Sequence, residues 1–212
     1  MPANADAPLE PLYDKELCSQ YKILTRWFLY PRGIRDFIFR TVPIKDNDLI
    51  LDAGCGYGVL SRAIREKIGR QDLKGVKQYA FDISEDMLHG FREAGADGID
   101  LRRHDVRELS YDDDYFDLIV TSAMLEYVPD IDNGLASLKR RLKPGGRIYV
   151  FMSKKTRLND FLFQPFGKPR CYSYEELESI LIRVGFQDIK WNKFPLTSCW
   201  LNLWGMIVAA TK

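Results

Sequence analysis

The chain has 212 residues, with 31 Lys+Arg against 30 Asp+Glu, 46% hydrophobic residues and 4 Cys. That length fits one domain or two small ones, and such a chain buries roughly 70% of the surface its unfolded form exposes. The even charge balance lacks the basic excess that phosphate-neutralising proteins show, so no nucleic-acid partner is expected, and four scattered cysteines without a Cys-x-x-Cys pair indicate neither a metal site nor a disulfide framework.

The first dozen residues carry acids and prolines where a signal peptide has a charged and then an apolar run, which predicts a cytoplasmic chain. From Asp14 the pattern turns helical. Leu17, Tyr21, Leu24 and Phe28 recur at three- and four-residue spacing until Pro31, where the helix is expected to stop, and a second short helix is read over Ile34 to Phe39. From residue 48 strands and helices alternate. Leu49-Ile50-Leu51 is a strand that ends in Asp52 and a glycine cluster, and Leu60, Ile64 and Ile68 mark the helix after it. Tyr79-Ala80-Phe81 reads as the second strand, followed by a helix opened by Ser84 with acids in its first turn. Ile99 to His104 and Phe116 to Thr121 read as the third and fourth strands. Leu135, Leu138 and Leu142 give a helix stopped by Lys143-Pro144-Gly145-Gly146, and Arg147 to Phe151 is the fifth strand. Ser173 with Glu176 forms a capping box, so a helix runs from about 174 to Gly185. Phe186 to Trp191 and Leu203 to Ala210 read as the last strands. No charged residue occurs from Phe194 to Thr211, but that run is too short and too interrupted for a spanning helix, and strands with a connection fit it better.

This rhythm predicts an α/β fold: a doubly wound, mostly parallel seven-stranded sheet with an antiparallel edge strand and helices on both faces. Residues 1–40 read as an N-terminal helical cap, 41–212 as a Rossmann-like domain, and 153–172 as an insertion covering the substrate. Ligands of such sheets bind over the C-terminal ends of the strands.

The strongest chemical signal is Leu51-Asp52-Ala53-Gly54-Cys55-Gly56-Tyr57-Gly58. The glycines allow a sharp turn and close ligand approach, and the following helix offers free N–H groups. A nicotinamide dinucleotide loop would want Gly or Ala where Val59 stands, and Asp52 would repel a pyrophosphate, so the NAD(P)-dependent oxidoreductase reading is the weaker alternative. A carboxylate there suits a cationic ligand instead.

With the later motifs FDIS (Asp82), RHDV (Asp105), FDLIVTSAMLEYVPD and LKPGGRIYVF, in that order, the chain resembles the class I S-adenosylmethionine-dependent methyltransferases over roughly residues 48 to 151. The resemblance implies S-adenosyl-L-methionine as cofactor and S-adenosyl-L-homocysteine as product. It implies that Gly54, Cys55, Gly56 and Gly58 run under the cofactor's methionine and ribose, with Asp52 near the amino group. Asp82 would take the ribose hydroxyls, Ile83 and Met87 would flank the adenine, Asp105 and Val106 would meet its edge, and Ser122 and Ala123 would lie beside the sulfonium. Taken singly, Asp82 and Asp105 also fit the plainer role of turn caps, and Met87 that of a core residue. Glu126 and Tyr127, just past the fourth strand, are the candidates for positioning the nucleophile; Glu126 equally fits a pairing role at the sheet edge. Asp112-Asp113-Asp114 reads as a solvated turn, and no role is assigned to His89 or His104.

The acceptor must be held outside this core. Two segments mix cations with aromatics: Lys22, Arg26, Trp27, Phe28, Tyr30, Arg32, Arg35 and Phe37 in the first, Lys154, Lys155, Arg157, Phe161, Phe163, Phe166 and Arg170 in the second. Amphipathic packing with solvated cations explains such a mixture. The sharper reading is a pocket for a small apolar or amphiphilic acceptor, lipids included, with peripheral membrane contact. The expected activity is therefore methyl transfer by in-line displacement, and a non-catalytic cofactor- or partner-binding protein on the same fold is the alternative. The Asn/Asp-Pro-Pro-aromatic tetrad and the Pro-Cys pair tied to nucleic-acid methylation are both missing from the sequence.

Overall fold

The computed structural model describes residues 29–162 and 169–212, the side chains of Asp160 and Leu162 aside. The helical reading over Asp14 to Phe28, and Phe163 and Phe166 of the second aromatic segment, lie outside the described residues. Helix α1 spans Tyr30–Thr41. It is followed by strand β1 (Leu49–Ala53), α2 (Val59–Gln71), β2 (Lys77–Asp82), α3 (Glu85–Glu93), β3 (Ile99–Arg103) and β4 (Phe116–Ser122). A 3₁₀ turn at Leu125–Tyr127 leads to α4 (Ile131–Arg141), β5 (Leu142–Ser153), α5 (Arg157–Leu162), α6 (Tyr174–Val184), β6 (Gln187–Asn192), a 3₁₀ segment at Leu196–Leu203, and β7 (Gly205–Thr211).

The seven strands form one sheet in the order β3-β2-β1-β4-β5-β7-β6. All neighbouring pairs are parallel except those of β7, which runs antiparallel to both β5 and β6. The reversal thus sits at one edge of the sheet, as expected, with β7 slotted inside β6. Between β1 and β4 the winding changes direction, and that switch point opens a crevice beyond the strand ends.

Side-chain alternation along the strands divides the core between two faces. Ile50, Leu118, Val120, Tyr149 and Phe151 pack with Ile34, Phe37 and Ile38 of α1 and with Leu60 and Ile64 of α2. On the other face Leu51, Ile119, Ile148 and Val150 pack with Leu135 and Leu138 of α4 and with Leu177 and Leu181 of α6. Leu88 and Phe91 of α3 cover Ala80 and Cys55.

Several local expectations are met where the rule is local. Ser84 Oγ accepts from the Met87 amide at 3.3 Å. Ser173 and Glu176 make a reciprocal capping box, with Ser173 N donating to Glu176 at 2.8 Å and Glu176 N donating to Ser173 Oγ at 3.2 Å.

Three readings are corrected. The second helix starts earlier than Ile34: Pro31 sits in the first turn of α1, where its missing N–H leaves no bond unmade, behind Leu29 in the left-handed region at φ 53°. One helix, Tyr30–Thr41, therefore replaces the short stretch expected over Ile34 to Phe39. Strand β5 starts at Leu142, not Arg147, because Leu142 already pairs with Phe116 before an irregularity lets Lys143-Pro144-Gly145-Gly146 bow out of register. In the uncharged run, Leu196–Leu203 is a 3₁₀ segment whose Asn202 closes it on the Phe194 amide at 2.8 Å and on the Phe194 carbonyl at 3.2 Å. Phe194, Ser198 and Leu201 are buried against α1, and a Cβ placed on Gly33 would lie 2.1 Å from Leu201 Cδ1. Leu196 and Leu203, by contrast, are 91% and 69% exposed, so burial explains only part of the missing charge. Among the described residues no helix is long and apolar enough to cross a membrane.

The join between α1 and α2 matters most for the site, because α1 supplies one of its walls. Lys67 of α2 is buried and its ammonium caps the C-terminal end of α1, donating to the Ile38 carbonyl at 3.0 Å, the Phe39 carbonyl at 3.3 Å and the Val42 carbonyl. Burial lowers its pKa, but three carbonyl oxygens hold the charge. Replacing it by an isosteric apolar chain leaves those carbonyls without their donor. Lys67→Met is expected to lower stability by about 2 kcal/mol, read as a reduced urea midpoint at unchanged slope.

Candidate active site

The crevice at the switch point is a cavity of about 640 Å³, a size usual for small-molecule sites. Its floor is the loop after β1. Gly54, Gly56 and Gly58 have φ of 70°, 50° and 74°, a left-handed path that side chains disfavour. Space adds to the requirement: a Cβ on Gly54 would stand 2.4 Å from Met124 Cβ, and one on Gly58 would stand 2.1 Å from the Phe91 ring. The loop is stitched to β2 by the Cys55 amide donating to the Phe81 carbonyl and by the Gly56 amide donating to Asp82 Oδ2, each at 2.8 Å.

Asp52, at the end of β1, is 2% exposed. Its Oδ2 accepts from the amide of Ser61 at 2.9 Å and from the Ser61 hydroxyl at 2.6 Å. Its Oδ1 is buried and finds no partner among the described residues. Burial pushes this carboxyl up to about 7, against the two Ser61 bonds that favour the ionised form. Asp82 lines the cavity with Oδ1 taking the Ser84 amide at 3.0 Å, and burial raises its pKa also. Ile83 and Met87 continue that wall, and Val106 and Asp105 close it. Asp105 is held by Arg107, whose amide donates to Oδ1 at 2.9 Å and whose guanidinium reaches Oδ2 at 2.6 Å. Burial pushes the Asp105 carboxyl up, but the Arg107 bonds outweigh it and leave the group below its ordinary value.

At the end of β4, Ser122 and Ala123 enter the same cavity. Ala123 has φ 55°, and its amide donates to the Phe151 carbonyl at 3.0 Å, so a non-glycine residue is kept in a left-handed turn at the cavity wall. Tyr127 lines the cavity, and burial raises its phenol. Glu126 is not among the lining residues. Its side chain turns to the end of β5 and accepts from the Ser153 amide, and its carbonyl takes the Arg170 amide at 2.9 Å. Burial pushes the Glu126 carboxyl up to about 7. It ties together both ends of the 153–172 connection.

The cavity thus gathers Asp52, Gly54, Cys55, Gly56, Asp82, Ile83, Met87, Asp105, Val106, Ser122 and Ala123, with Gly58 just behind as the N-cap of α2. It also holds residues outside the set that the family motifs supplied. His104 is one, its pKa lowered by burial and its Nε2 3.2 Å from Ser110 Oγ. Met124 and Val128 are others, legible only as apolar positions after β4. Leu29, Tyr30, Pro31 and Arg32 come from the start of α1, and Tyr30 Oη lies 2.6 Å from Ser122 Oγ.

Residues 51–150 match the methyltransferase domain family. The chain is 28% identical over 191 residues to a demethylmenaquinone methyltransferase of Bacillus subtilis, covering 76% of this chain and 80% of that one. The chain carries a methyltransferase domain of the class I, S-adenosylmethionine-dependent type. Over 124 residues the domain is 36% identical to the ubiquinone/menaquinone biosynthesis C-methyltransferase UbiE of Vibrio vulnificus, covering 56% of this chain but only 44% of that protein's length. Its fold matches a SAM-dependent methyltransferase of Aquifex aeolicus with a TM-score of 0.70 at 20% identity, covering 94% of this chain and 98% of the other.

The cofactor of the methyltransferase domain is S-adenosylmethionine, and the donor set fits it. The unpartnered, buried Asp52 Oδ1 beside an open glycine loop is a place for a cation, and cationic groups are what that cofactor carries at its methionine end. The pH dependence follows. Because the folded value of Asp52 lies above the ordinary one, its protonated form stabilises the ligand-free fold at low pH, and that contribution is lost as pH rises through 7. A cation against Oδ1 favours the ionised form. Affinity for S-adenosylmethionine should therefore rise from about pH 6 to about pH 7.5 with release of a proton, and Asp52→Asn should flatten the profile. Calorimetry in buffers of different protonation enthalpy checks both, and a flat wild-type profile would remove Asp52 from this role.

Proposed function

We propose that the protein transfers the methyl group of S-adenosylmethionine to a small, apolar or amphiphilic acceptor carrying ring oxygens, of the quinol kind. The observation that carries this reading is the two-sided character of one cavity. Acids and bare backbone line its floor at β1 to β3, while Leu29, Tyr30, Met124, Tyr127 and Val128 give the side beyond β4 an apolar and phenolic wall. The names of the Bacillus and Vibrio relatives point to acceptors of the same kind.

In this reading Asp52 pairs with the cofactor's amino group, and Gly54 to Gly58 leave their backbone open to its methionine and ribose. Asp82 takes the ribose hydroxyls, sharing lone pairs that already hold the Gly56 and Ser84 amides. Ile83 and Met87 flank the adenine. The Val106 amide and Asp105 meet its edge, with Asp105 aimed by Arg107. Residues 41–212 form the transferase domain, α1 borders its acceptor side, and Glu126 anchors Ser153 and Arg170 at the two ends of the 153–172 connection.

When bound, the cofactor supplies a methyl group on a positively charged sulfur that leaves as a neutral thioether. The protein's own work is alignment. Ser122 and Ala123 place the end of β4 beside the reacting centre, and the apolar wall excludes water and holds the acceptor ring in line, an arrangement that supplies about 7 to 11 kcal/mol in well-oriented systems. Glu126 acts on the acceptor only through the segment it anchors.

Two measurements test this. Purified protein with isotope-labelled S-adenosylmethionine should methylate a short-chain demethylmenaquinol, and absence of labelled product across quinol acceptors would count against the proposed class. Asp82→Ala should weaken S-adenosylhomocysteine binding by roughly tenfold or more, since hydrogen bonds to a charged acceptor are worth about 1.5 to 3 kcal/mol each.

A further inference from the structure

The geometry points to Tyr30 as the residue that binds the acceptor's oxygen, placing the reacting atom against the cofactor. This rests on the methyltransferase reading above and names the group that acts on the acceptor side of that cavity. Tyr30 opens α1, far from the glycine loop in sequence, and it is carried to the end of β4 by three fixtures. Pro31 sets the first helical turn, the Tyr30 ring stands edge-on to Phe194 with centroids 6.3 Å apart, and its hydroxyl meets Ser122 Oγ at 2.6 Å.

The proton count at that pair decides what it can do. Two hydroxyls own two protons and only one lies between them, whichever oxygen donates. The second proton is left for an acceptor atom in the cavity that both residues line. Burial raises the phenol, and the nearby Glu126 and Asp52 carboxylates raise it further, while the Ser122 bond works the other way. Tyr30 therefore keeps its proton and is not a base, and with the Ser122 hydroxyl donating to the phenol oxygen that proton is the one offered to the acceptor. An oxygen lone pair on the acceptor satisfies it. A purely hydrocarbon acceptor leaves a buried hydroxyl unpaired, and that cost is what makes such sites discriminate. The ligand class is thus an aromatic or alicyclic ring with a hydroxyl or carbonyl oxygen next to the atom that is methylated.

The probes are 1-naphthol and 1-methylnaphthalene, of similar shape but differing in the oxygen, titrated by calorimetry into protein saturated with S-adenosylhomocysteine. The wild type is expected to bind 1-naphthol about fivefold more tightly than 1-methylnaphthalene. Tyr30→Phe is expected to bind the two equally, with 1-methylnaphthalene affinity and S-adenosylhomocysteine affinity within about twofold of wild type. Retention of that cofactor affinity also shows that the variant is folded. Ser122→Ala, which frees the Tyr30 hydroxyl without removing it, should keep part of the preference. Absence of a preference in the wild type, or its survival in Tyr30→Phe, overturns the assignment. A loss of S-adenosylhomocysteine affinity in Tyr30→Phe that matches the loss for 1-naphthol overturns it too, by making the cofactor the hydroxyl's partner. If the wild type does not bind S-adenosylhomocysteine at all, the reading of the cavity as a methyltransferase site fails first and this assignment falls with it.

Discussion

A carboxylate buried at the end of a central strand is the constraint around which this site is arranged. Asp52 spends one oxygen on the amide and hydroxyl of Ser61, which fastens the end of β1 to the first turns of α2 and leaves the glycine loop only a short path between them. That path demands left-handed backbone at three glycines and brings the Gly56 amide to Asp82 on the neighbouring strand. The other oxygen has no partner among the described residues. A buried group in that state is costly to the empty fold, and the cost is relieved by a ligand of opposite charge. The same atoms thus shape the loop and select the charge of what it holds.

The opposite wall, the proposed acceptor side, is built on a different principle, from apolar packing relayed over long sequence distances. Lys67 pins the far end of α1, Leu201 and Phe194 fill the space left by Gly33, and the first turn of α1 is pressed against the end of β4. Floor and wall therefore use different interactions, hydrogen bonds near the sheet's centre for one and a helix laid over it for the other, though α2 braces both through Ser61 and Lys67. Such a division lets the wall vary while the floor keeps its cofactor chemistry, which accords with one fold serving many acceptors.

What could be read from the sequence followed the range of the interaction. The glycine loop, the Ser84 cap and the Ser173–Glu176 box obey rules spanning a few residues, and the alternation of strands and helices carried the sheet. The start of α1 was placed too late because Gly33 looks locally like a break; its packing on Leu201 inside the first turns of the helix is a tertiary contact. The strand β5 was cut short because Pro144 and two glycines look like a turn until the pairing of Leu142 with Phe116 is seen. Tyr30 and Ser122 lie 92 positions apart, and no pattern in the chain announces their bond. The direction in which the Glu126 carboxylate turns, toward the Ser153 amide and away from the cavity, is likewise a matter of tertiary packing.

The place of β7 in the sheet ties one side of the cavity to the end of the chain. Among the described residues β6 pairs with no strand other than β7, which is the later of the two in sequence, so β6 joins the sheet only through residues 205–211. The 3₁₀ segment that backs α1 lies between these same two strands, so part of the proposed acceptor wall rests on the C-terminal end of the chain. The glycine loop, by contrast, is framed by β1, β2 and β4, all paired well before β7 in the chain. The two sides of the cavity are thus closed by stretches of chain far apart in sequence.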